Sequence, residues 1–400
     1  MYPAAHRLSS ALKTSLPVIL SGIISILLVE LILRLVGISY PVFDIYDPLR
    51  GHALKPDKTG IYDKEGFSFM EINSLGYLDV DHSINKPNGV YRIAVLGDSF
   101  TEARNVALET TYWKQLESAL LAQGKQVEVL SFGIGGYGTA QELITLKKDV
   151  LQFSPDLVIL GFYPGNDIFD NARYLSRNDD TFRPFYQIID GKLEKDESFK
   201  EISLSYLANR FLLSAVHHSR IMELVNQARR NIQVIGMQSS SQQLPEFSII
   251  DPNLADGIQR EALEDAWQVT ERLLQEIKQL LEQRNIDFVV LVITTPESVH
   301  PEYLAQEFSL FPDGIPYYAE NRLSELGQRL GFRVVTMADS VKEKIREQNL
   351  FLHGFEETGL GIGHWNEAGH RHASQLLLES ISPGQQSEPE SRLKIHSGNL

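Results

Sequence analysis

Short apolar segments alternate with amphipathic segments between residues 91 and 162 of this 400-residue chain, and this alternation restricts the fold more than any other feature. The apolar segments are "YRIAVLG", "VEVLSF" and "PDLVILGFY"; "TTYWKQLESALLAQG" and roughly Ala140 to Gln152 lie between them as predicted helices. Such alternation produces right-handed βαβ units and a parallel sheet covered by helices on both faces. "IDFVVLVITTP" and "FRVVTMAD" resume the pattern later, so we predict an α/β/α domain with five parallel strands.

The alternation is interrupted between Ile168 and about Asp256 by polar loops, a helical segment near Leu204 to Arg230 and the link "MQSSSQQLPE". The long helix "EALEDAWQVTERLLQEIKQLLEQRN" then leads back into the sheet. We therefore predict an insertion at about 168–256 within a domain of residues 91–382. Residues 39–90 contain "INSLGYLD" and are predicted as a linker and cap, and the Ser-, Pro- and Gln-rich residues 383–400 as a disordered tail.

An apolar run near the N-terminus, "LPVILSGIISILLVELILRLVGI", has about the length that a bilayer-spanning helix requires. Arg7 and Lys13 precede it, and positive charge on that side predicts that the rest of the chain lies outside the cytoplasm. We predict that residues 1–38 form a single-pass membrane anchor. The alternatives are a cleaved signal peptide and an amphipathic or buried helix, in which Glu30 and Arg34 stand at helical spacing and could pair.

Composition excludes several classes of function. The formal charge of −15, without a run of Lys and Arg, argues against a nucleic-acid partner. The absence of cysteine excludes disulfides, thiolate zinc sites and cysteine nucleophiles.

Four polar loops follow the predicted strands or precede the last helix: "GDSFTEA", "SFGIGGYGTAQE", "GFYPGNDIFD" and "GIGHWNEAGH". Reactive groups of a parallel sheet gather beyond the carboxyl ends of its strands, so we expect these loops to meet. Together they supply the parts of a serine acyl-transfer site. Ser99 is the nucleophile, His364 is the base, and the Ser99 N–H, the Gly136 N–H and the Asn166 amide can bind an oxyanion.

Three other motifs compete with this interpretation. "GIGGYG" satisfies the dinucleotide pattern G-x-G-x-x-G, but Asp156 begins the next strand, whereas the pattern requires an acid at its end. "GDSFT" lacks the closing glycine of the G-x-S-x-G elbow of α/β-hydrolases. A metal site from His364, His370 and His372 is disfavoured because positions 370 and 372 face different sides of a helix. We therefore expect solvent-facing or packing histidines, no metal and no cofactor.

The four blocks resemble those of the SGNH, or GDSL-type, hydrolase superfamily. Ser99 in "GDSF" matches the family's nucleophile and Gly136 in "SFGIGGYG" its second block. Asn166 in "PGND" matches the oxyanion side chain, and His364 in "HWNEAGH" matches the base.

The resemblance covers roughly residues 91–170 and 285–380 and implies a flavodoxin-like sheet. The anchor and "INSLGYLD" also resemble bacterial membrane-anchored members, some related to polysaccharide O-acetyl transfer or removal. The resemblance implies a serine esterase or O-acyltransferase acting on O-acyl, most simply acetyl, esters of an extracytoplasmic glycan or a related substrate. It would be periplasmic in a bacterium, and its insertion would select the acceptor.

One family residue is missing. An Asp three positions before the catalytic His orients the imidazole in most members, and here that position is Gly361. A carboxylate from "GFEETG", Glu357 or Glu356, could fold back onto His364. Alternatively, a backbone carbonyl could accept the Nδ1 proton and leave a dyad.

A different class of function remains open from sequence. A glycan-binding or assembly protein can keep the fold without catalysis, although an intact set of Ser99, Gly136, Asn166 and His364 argues against it.

Overall fold

The structure is a computed structural model. It describes residues 4–171, 173, 183–200, 207, 211, 214–239, 257–299, 318–348 and 350–381. The predicted tail, 383–400, lies outside these ranges, so the prediction that it is disordered stays untested. Residues 240–246 of the link "MQSSSQQLPE" also lie outside them.

The N-terminal part consists of one long helix and two small antiparallel hairpins. Helix α1 spans Ala4–Val36. The hairpins pair β1 with β2 and β3 with β4, which span Asp44–Asp47, Gly51–Leu54, Thr59–Tyr62 and Ser68–Glu71. The cap predicted ahead of the core is therefore built mainly from two hairpins, and "INSLGYLD" forms the turn region after the second.

A five-stranded parallel sheet forms the centre of the protein, as the sequence predicted. Its order is β11-β10-β7-β5-β6, which places the first strand of the domain between the second and third as in flavodoxin-like sheets. All pairings are parallel, and Ile93 to Leu96 are fully buried because both faces are covered. The strands are β5 Tyr91–Gly97, β6 Val127–Gly133, β7 Leu157–Phe162, β10 Asp287–Val292 and β11 Arg333–Val335.

Helices cover both faces of the sheet. The helices are α2 Ser99–Glu102, α3 Tyr112–Ala122, α4 Thr139–Thr145, α5 Arg220–Ser239, α6 Gly257–Glu282, α7 Pro296–Val299, α8 Tyr318–Leu330, α9 Ala338–Gln348 and α10 Glu367–Ile381. One layer contains α3 and α10, which pack on each other, and the other contains α4, α6 and α8.

Two helix predictions need refinement. The helix expected to reach Gln152 ends as α4 at Thr145 and continues through a π-helical turn, Leu146–Val150, and a 3₁₀ turn, Leu151–Phe153. In the insertion, the described long helix is α5, which begins at Arg220. Most of residues 201–213 lie outside the described ranges.

The insertion also contains a hairpin where the sequence predicts polar loops. Strands β8, Phe185–Ile189, and β9, Lys192–Asp196, pair through Asp190 and Gly191, both with positive φ, 49° and 74°. Two positive φ values are typical of a type I′ turn, for which Asp-Gly is a strong sequence signal. A short hairpin, β12 His353–Phe355 and β13 Gly359–Trp365, precedes α10.

Helix α1 carries an apolar stretch, Leu16–Val36, of mean hydropathy 2.6, of which only 6% is buried against the protein. Among the described residues it is the one helix with the length and composition needed to cross a membrane. Glu30 and Arg34 form the expected ion pair, with 2.7 Å between Oε1 and Nη2.

Candidate active site

Ser99 is the first residue of α2, directly after the central strand β5. Asp98 caps this short helix, since its Oδ1 accepts the Phe100 N–H at 2.9 Å. The tight strand-to-helix connection brings the Ser99 side chain to the carboxyl edge of the sheet. Asp98 is thus part of the turn that presents the serine.

His364 lies on β13 and contacts the serine. Its Nε2 is 2.8 Å from Ser99 Oγ, a hydrogen-bond distance across 265 residues of sequence. The Phe100 ring packs against the imidazole, with 5.0 Å between centroids. The two residues that the four blocks nominated as nucleophile and base therefore lie in contact.

The other side of the imidazole faces Glu65, in the loop between β3 and β4. Glu65 Oε2 lies 2.5 Å from His364 Nδ1, and Oε1 accepts the His364 backbone N–H at 2.6 Å. Both side chains are mostly buried, 14% exposed for Glu65 and 17% for His364. The position that we expected Glu357, Glu356 or a backbone carbonyl to fill is therefore occupied by a residue of the cap.

Glycines permit this close approach. A Cβ on Gly363, whose φ is +82°, would lie 2.2 Å from Glu65 Oε1. A Cβ on Gly66, with φ +67°, would lie 2.4 Å from the Asn105 carbonyl and 2.6 Å from the Phe355 ring. The glycine-rich segment before His364 thus admits a carboxylate from the cap, whereas we had expected it to bend a local carboxylate back.

Two backbone donors stand beside Ser99. In the part of the chain that the structure describes, neither the Ser99 N–H nor the Gly136 N–H donates to a protein acceptor. Gly136 has φ +77°, and a Cβ there would meet nothing within 4 Å. The neighbouring Gly135 lies against the serine, since a Cβ on it would be 3.6 Å from Ser99 Cβ. Among the described residues, the Ser99 N–H and the Gly136 N–H are therefore the candidate backbone donors to an oxyanion.

Glu102 fixes this glycine loop. It is 1% exposed; its Oε2 accepts the Gly135 N–H, and its Oε1 forms an ion pair with Arg104. Gly135 is also bound by the cap, since its carbonyl oxygen lies 2.9 Å from Nε2 of His52 on β2.

Asn166 lies next to Asp98 at the site. Its Nδ2 donates to Asp98 Oδ2 at 2.7 Å and makes a longer contact, 3.4 Å, to the Tyr137 carbonyl oxygen. Asp98 is fully buried, and burial raises the pKa of its carboxyl to about 6. One amide proton of Asn166 is thus donated to Asp98. The other makes only the longer contact with the Tyr137 carbonyl oxygen, so it can be donated to an oxyanion instead.

Two more carboxyl groups are buried behind the site. Glu142 on α4 and Asp167, which follows Asn166, are both fully buried. Burial raises the pKa of each well above its usual range, the charge of Asp98 further raises both pKa values, and the charge of Asp167 further raises that of Glu142. Both Glu142 oxygens are without a hydrogen-bond partner among the described residues.

His370 and His372 are packing side chains. His370 is stacked on Tyr112, with ring centroids 6.0 Å apart, and its Nδ1 accepts the Tyr112 N–H at 3.3 Å. His372 Nε2 is 3.1 Å from Ser340 Oγ. Burial lowers the pKa of both, to about 3 and about 4, so both are neutral at pH 7. Within the described residues, His, Asp and Glu side chains form no group suited to a metal ion.

Comparison with known protein families identifies the family of this chain. The GDSL-like lipase/acylhydrolase family matches residues 95–372, and the chain belongs to this family of ester hydrolases. No curated protein matches it.

Solved structures of esterases are similar at low identity. An acetyl xylan esterase shares 14% identity over 72% of this chain and 99% of its own, with a TM-score of 0.37. The lipase/acylhydrolase from Enterococcus faecalis shares 13% over 73% and 95%, with a TM-score of 0.38. A two-domain esterase active on acetylated mannans shares 12% over 72% and 48%, with a TM-score of 0.35.

Proposed function

We propose that this protein is a membrane-anchored serine esterase or O-acyltransferase that acts on O-acyl esters, most simply acetyl, of an extracytoplasmic glycan or a related substrate. The observation that carries the proposal is the continuous chain of contacts from Ser99 Oγ through the His364 ring to the Glu65 carboxylate. The glycan and the acetyl group follow the sequence resemblance, and the extracytoplasmic location follows the basic residues ahead of α1.

The proposed reaction uses the contacts of Ser99, His364 and Glu65. Glu65 accepts the Nδ1 proton of His364, so Nε2 presents its lone pair to the Ser99 hydroxyl. Ser99 Oγ attacks the ester carbonyl while Nε2 takes its proton, and the C–O bond forms as the carbonyl oxygen becomes an oxyanion. The Ser99 and Gly136 N–H groups and the Asn166 amide stabilise that charge.

The tetrahedral intermediate collapses when its bond to the leaving alcohol breaks and His364 returns the proton to that alcohol. The acyl group is now on Ser99. Water or a sugar hydroxyl then attacks the acyl-enzyme, with His364 as base, and releases the acid or the new ester. Hydrolysis and transfer share every step except the identity of this second nucleophile.

The test is active-site labelling of the full chain in detergent with a serine-reactive fluorophosphonate, followed by product analysis. We expect labelling of the wild type and none of Ser99→Ala. Incubation with an acetylated test ester, with and without sugar acceptors, then separates acetate release from acetyl transfer. Absence of labelling and of turnover in a folded protein would favour the glycan-binding alternative.

A further inference from the structure

The N-terminus of helix α5 is held against helix α1 by hydrogen bonds. Glu30 accepts three hydrogen bonds there: from Ser219 Oγ at 2.9 Å, from the Arg220 N–H at 2.9 Å and from the Ile221 N–H at 3.1 Å. Arg34 donates to the His218 carbonyl oxygen at 2.8 Å. Glu30 thus caps α5, and the two charged residues of the apolar run hold a second element against it.

These contacts set the depth of α5. Glu30 lies six residues before the end of α1 at Val36, which corresponds to about 9 Å along the helix axis. The start of α5 therefore lies beside the apolar helix itself, below its C-terminal end. The apolar stretch Leu16–Val36 has 21 residues, about the length needed to cross a hydrocarbon core of about 30 Å. If α1 spans a bilayer, the start of α5 therefore lies about 9 Å inside the edge of the hydrocarbon, a depth that interfacial helices reach.

The faces of α5 differ in polarity near its start. Glu223 is 3% exposed and accepts hydrogen bonds from Ser39 Oγ and the Tyr40 N–H, both at 3.0 Å. The next two residues point outward, since Leu224 is 40% and Val225 is 53% exposed. One side of α5 is therefore bound to the residues that follow α1, and the apolar side chains on another side of α5 are exposed.

Further apolar side chains are exposed just before α5. Phe211 is 72% exposed and Leu207 is 45% exposed. In water, large exposed side chains of this kind are unfavourable, whereas at a membrane interface they are buried among lipid acyl chains. Arg229, four residues after Val225 on α5, is also exposed.

From these contacts we infer that the first turns of α5 lie in the membrane interface, with Leu224 and Val225 among the lipid acyl chains. The anchor then has two parts, a spanning helix and an interfacial helix joined through Glu30. The occupant of the apolar face is lipid, because Glu30 holds the start of α5 against α1, and apolar side chains of α1 on either side of Glu30 in the sequence, Leu27 and Leu31, are themselves exposed. This inference rests on the proposed insertion of α1 in the membrane.

Two attachment points also limit how the catalytic domain can rotate about the anchor. α1 leads through Ser39 and Tyr40 into the cap, and the same residues are bound by Glu223. The cap supplies Glu65 to the active site. The interfacial helix therefore gives the active site a fixed orientation toward the membrane.

Tryptophan fluorescence can test the inference, because the native residues Trp113, Trp267 and Trp365 are all fully buried. The full chain is reconstituted into phosphatidylcholine vesicles, with or without brominated acyl chains. Three single variants are compared: Val225→Trp on α5, Leu27→Trp on α1 as the control for insertion, and Leu121→Trp on α3, which is 50% exposed, as the control for an aqueous position.

We expect brominated lipid to reduce the added emission of Val225→Trp and Leu27→Trp by at least half and to leave Leu121→Trp unchanged. Glu30→Ala should restore most of the Val225→Trp emission without affecting Leu27→Trp. If Leu27→Trp is quenched while Val225→Trp responds only to aqueous iodide, the interfacial helix is wrong and the anchor stands. If Leu27→Trp is not quenched, both are wrong.

Discussion

Glu65 contacts His364 through both carboxylate oxygens, one on the imidazole Nδ1 and one on the backbone N–H of the same residue. The carboxylate therefore fixes the tautomer, the ring orientation and the position of the strand that carries the ring. Because Glu65 belongs to the β3–β4 hairpin, the catalytic unit that we propose includes the cap as well as the sheet domain.

Replacing Glu65 by Gln should lower kcat by about three to four orders of magnitude. The amide removes the charge that stabilises the imidazolium, and its NH₂ group competes to reverse the tautomer, an effect known to cost about 10⁴ in a serine triad. Glu356→Gln and Glu357→Gln are the matched controls and should keep near-normal turnover. Steady-state kinetics on a soluble acetyl ester provide the measurement, and a collapse of either control would return the orienting role to the loop before β13.

Gly363→Ala should abolish most of the activity while the protein stays folded. The added Cβ would lie 2.2 Å from Glu65 Oε1 and would displace the carboxylate from His364. Gly191→Ala is the matched control, since its φ of +74° is similar but its Cβ would meet nothing within 4 Å.

Both substitutions cost about 1 kcal/mol of backbone strain, so the free energy of unfolding should fall similarly for the two variants. Turnover should fall at least 100-fold only for Gly363→Ala. Equal activity of the two variants would mean that the Glu65 contact does not support catalysis.

Asn166→Ala should reduce kcat by about two to three orders of magnitude, the usual cost of removing one oxyanion donor. KM should change little, because the donor acts on charge that develops in the transition state. Fluorophosphonate labelling and circular dichroism check that the variant is folded. Unchanged turnover would show that the two backbone N–H groups are sufficient and that Asn166 serves only as the partner of Asp98.

The sheet and the four loops could be predicted because each element corresponds to a pattern within a short stretch of the sequence. Alternating apolar runs specify strands and helices, and a parallel sheet then brings the carboxyl ends of its strands together. This is why the sequence predicts that Ser99 and His364, 265 residues apart, lie close together, and the structure places their side chains in contact.

Glu65 could not be predicted in the same way. It is 299 residues from His364 and lies in a hairpin outside the sheet, so no spacing or periodicity connects the two. The signals were indirect: Gly361 stood where the family has an acid, and glycine at position 363 left room for a side chain from elsewhere. Only the packing of the cap against the sheet domain shows that the carboxylate in this space is that of Glu65.

The last prediction concerns Glu142, whose buried carboxyl has a pKa well above its usual range because burial and the neighbouring Asp167 disfavour its charged form. A group with a raised pKa in the folded state binds its proton more tightly there than in the unfolded chain. Its contribution to stability is therefore fully present below the unfolded pKa, about 4.5, and is lost as the pH rises towards the folded pKa.

The Glu142→Gln variant has a neutral side chain at this position at every pH. It should therefore not lose stability through this group as the pH rises. The free energy of unfolding of the variant relative to wild type should increase as the pH rises above about 4.5, with a slope of up to about 1.4 kcal/mol per pH unit for the one proton involved. Urea unfolding of the detergent-solubilised chain at pH 5, 6, 7 and 8 measures it. Glu282→Gln, whose parent side chain is 68% exposed, is the matched control and should show no such slope. A constant difference between Glu142→Gln and wild type across this range would mean that Glu142 is ionised in the folded protein, and that a cation or water not bound by the protein's own side chains compensates its charge.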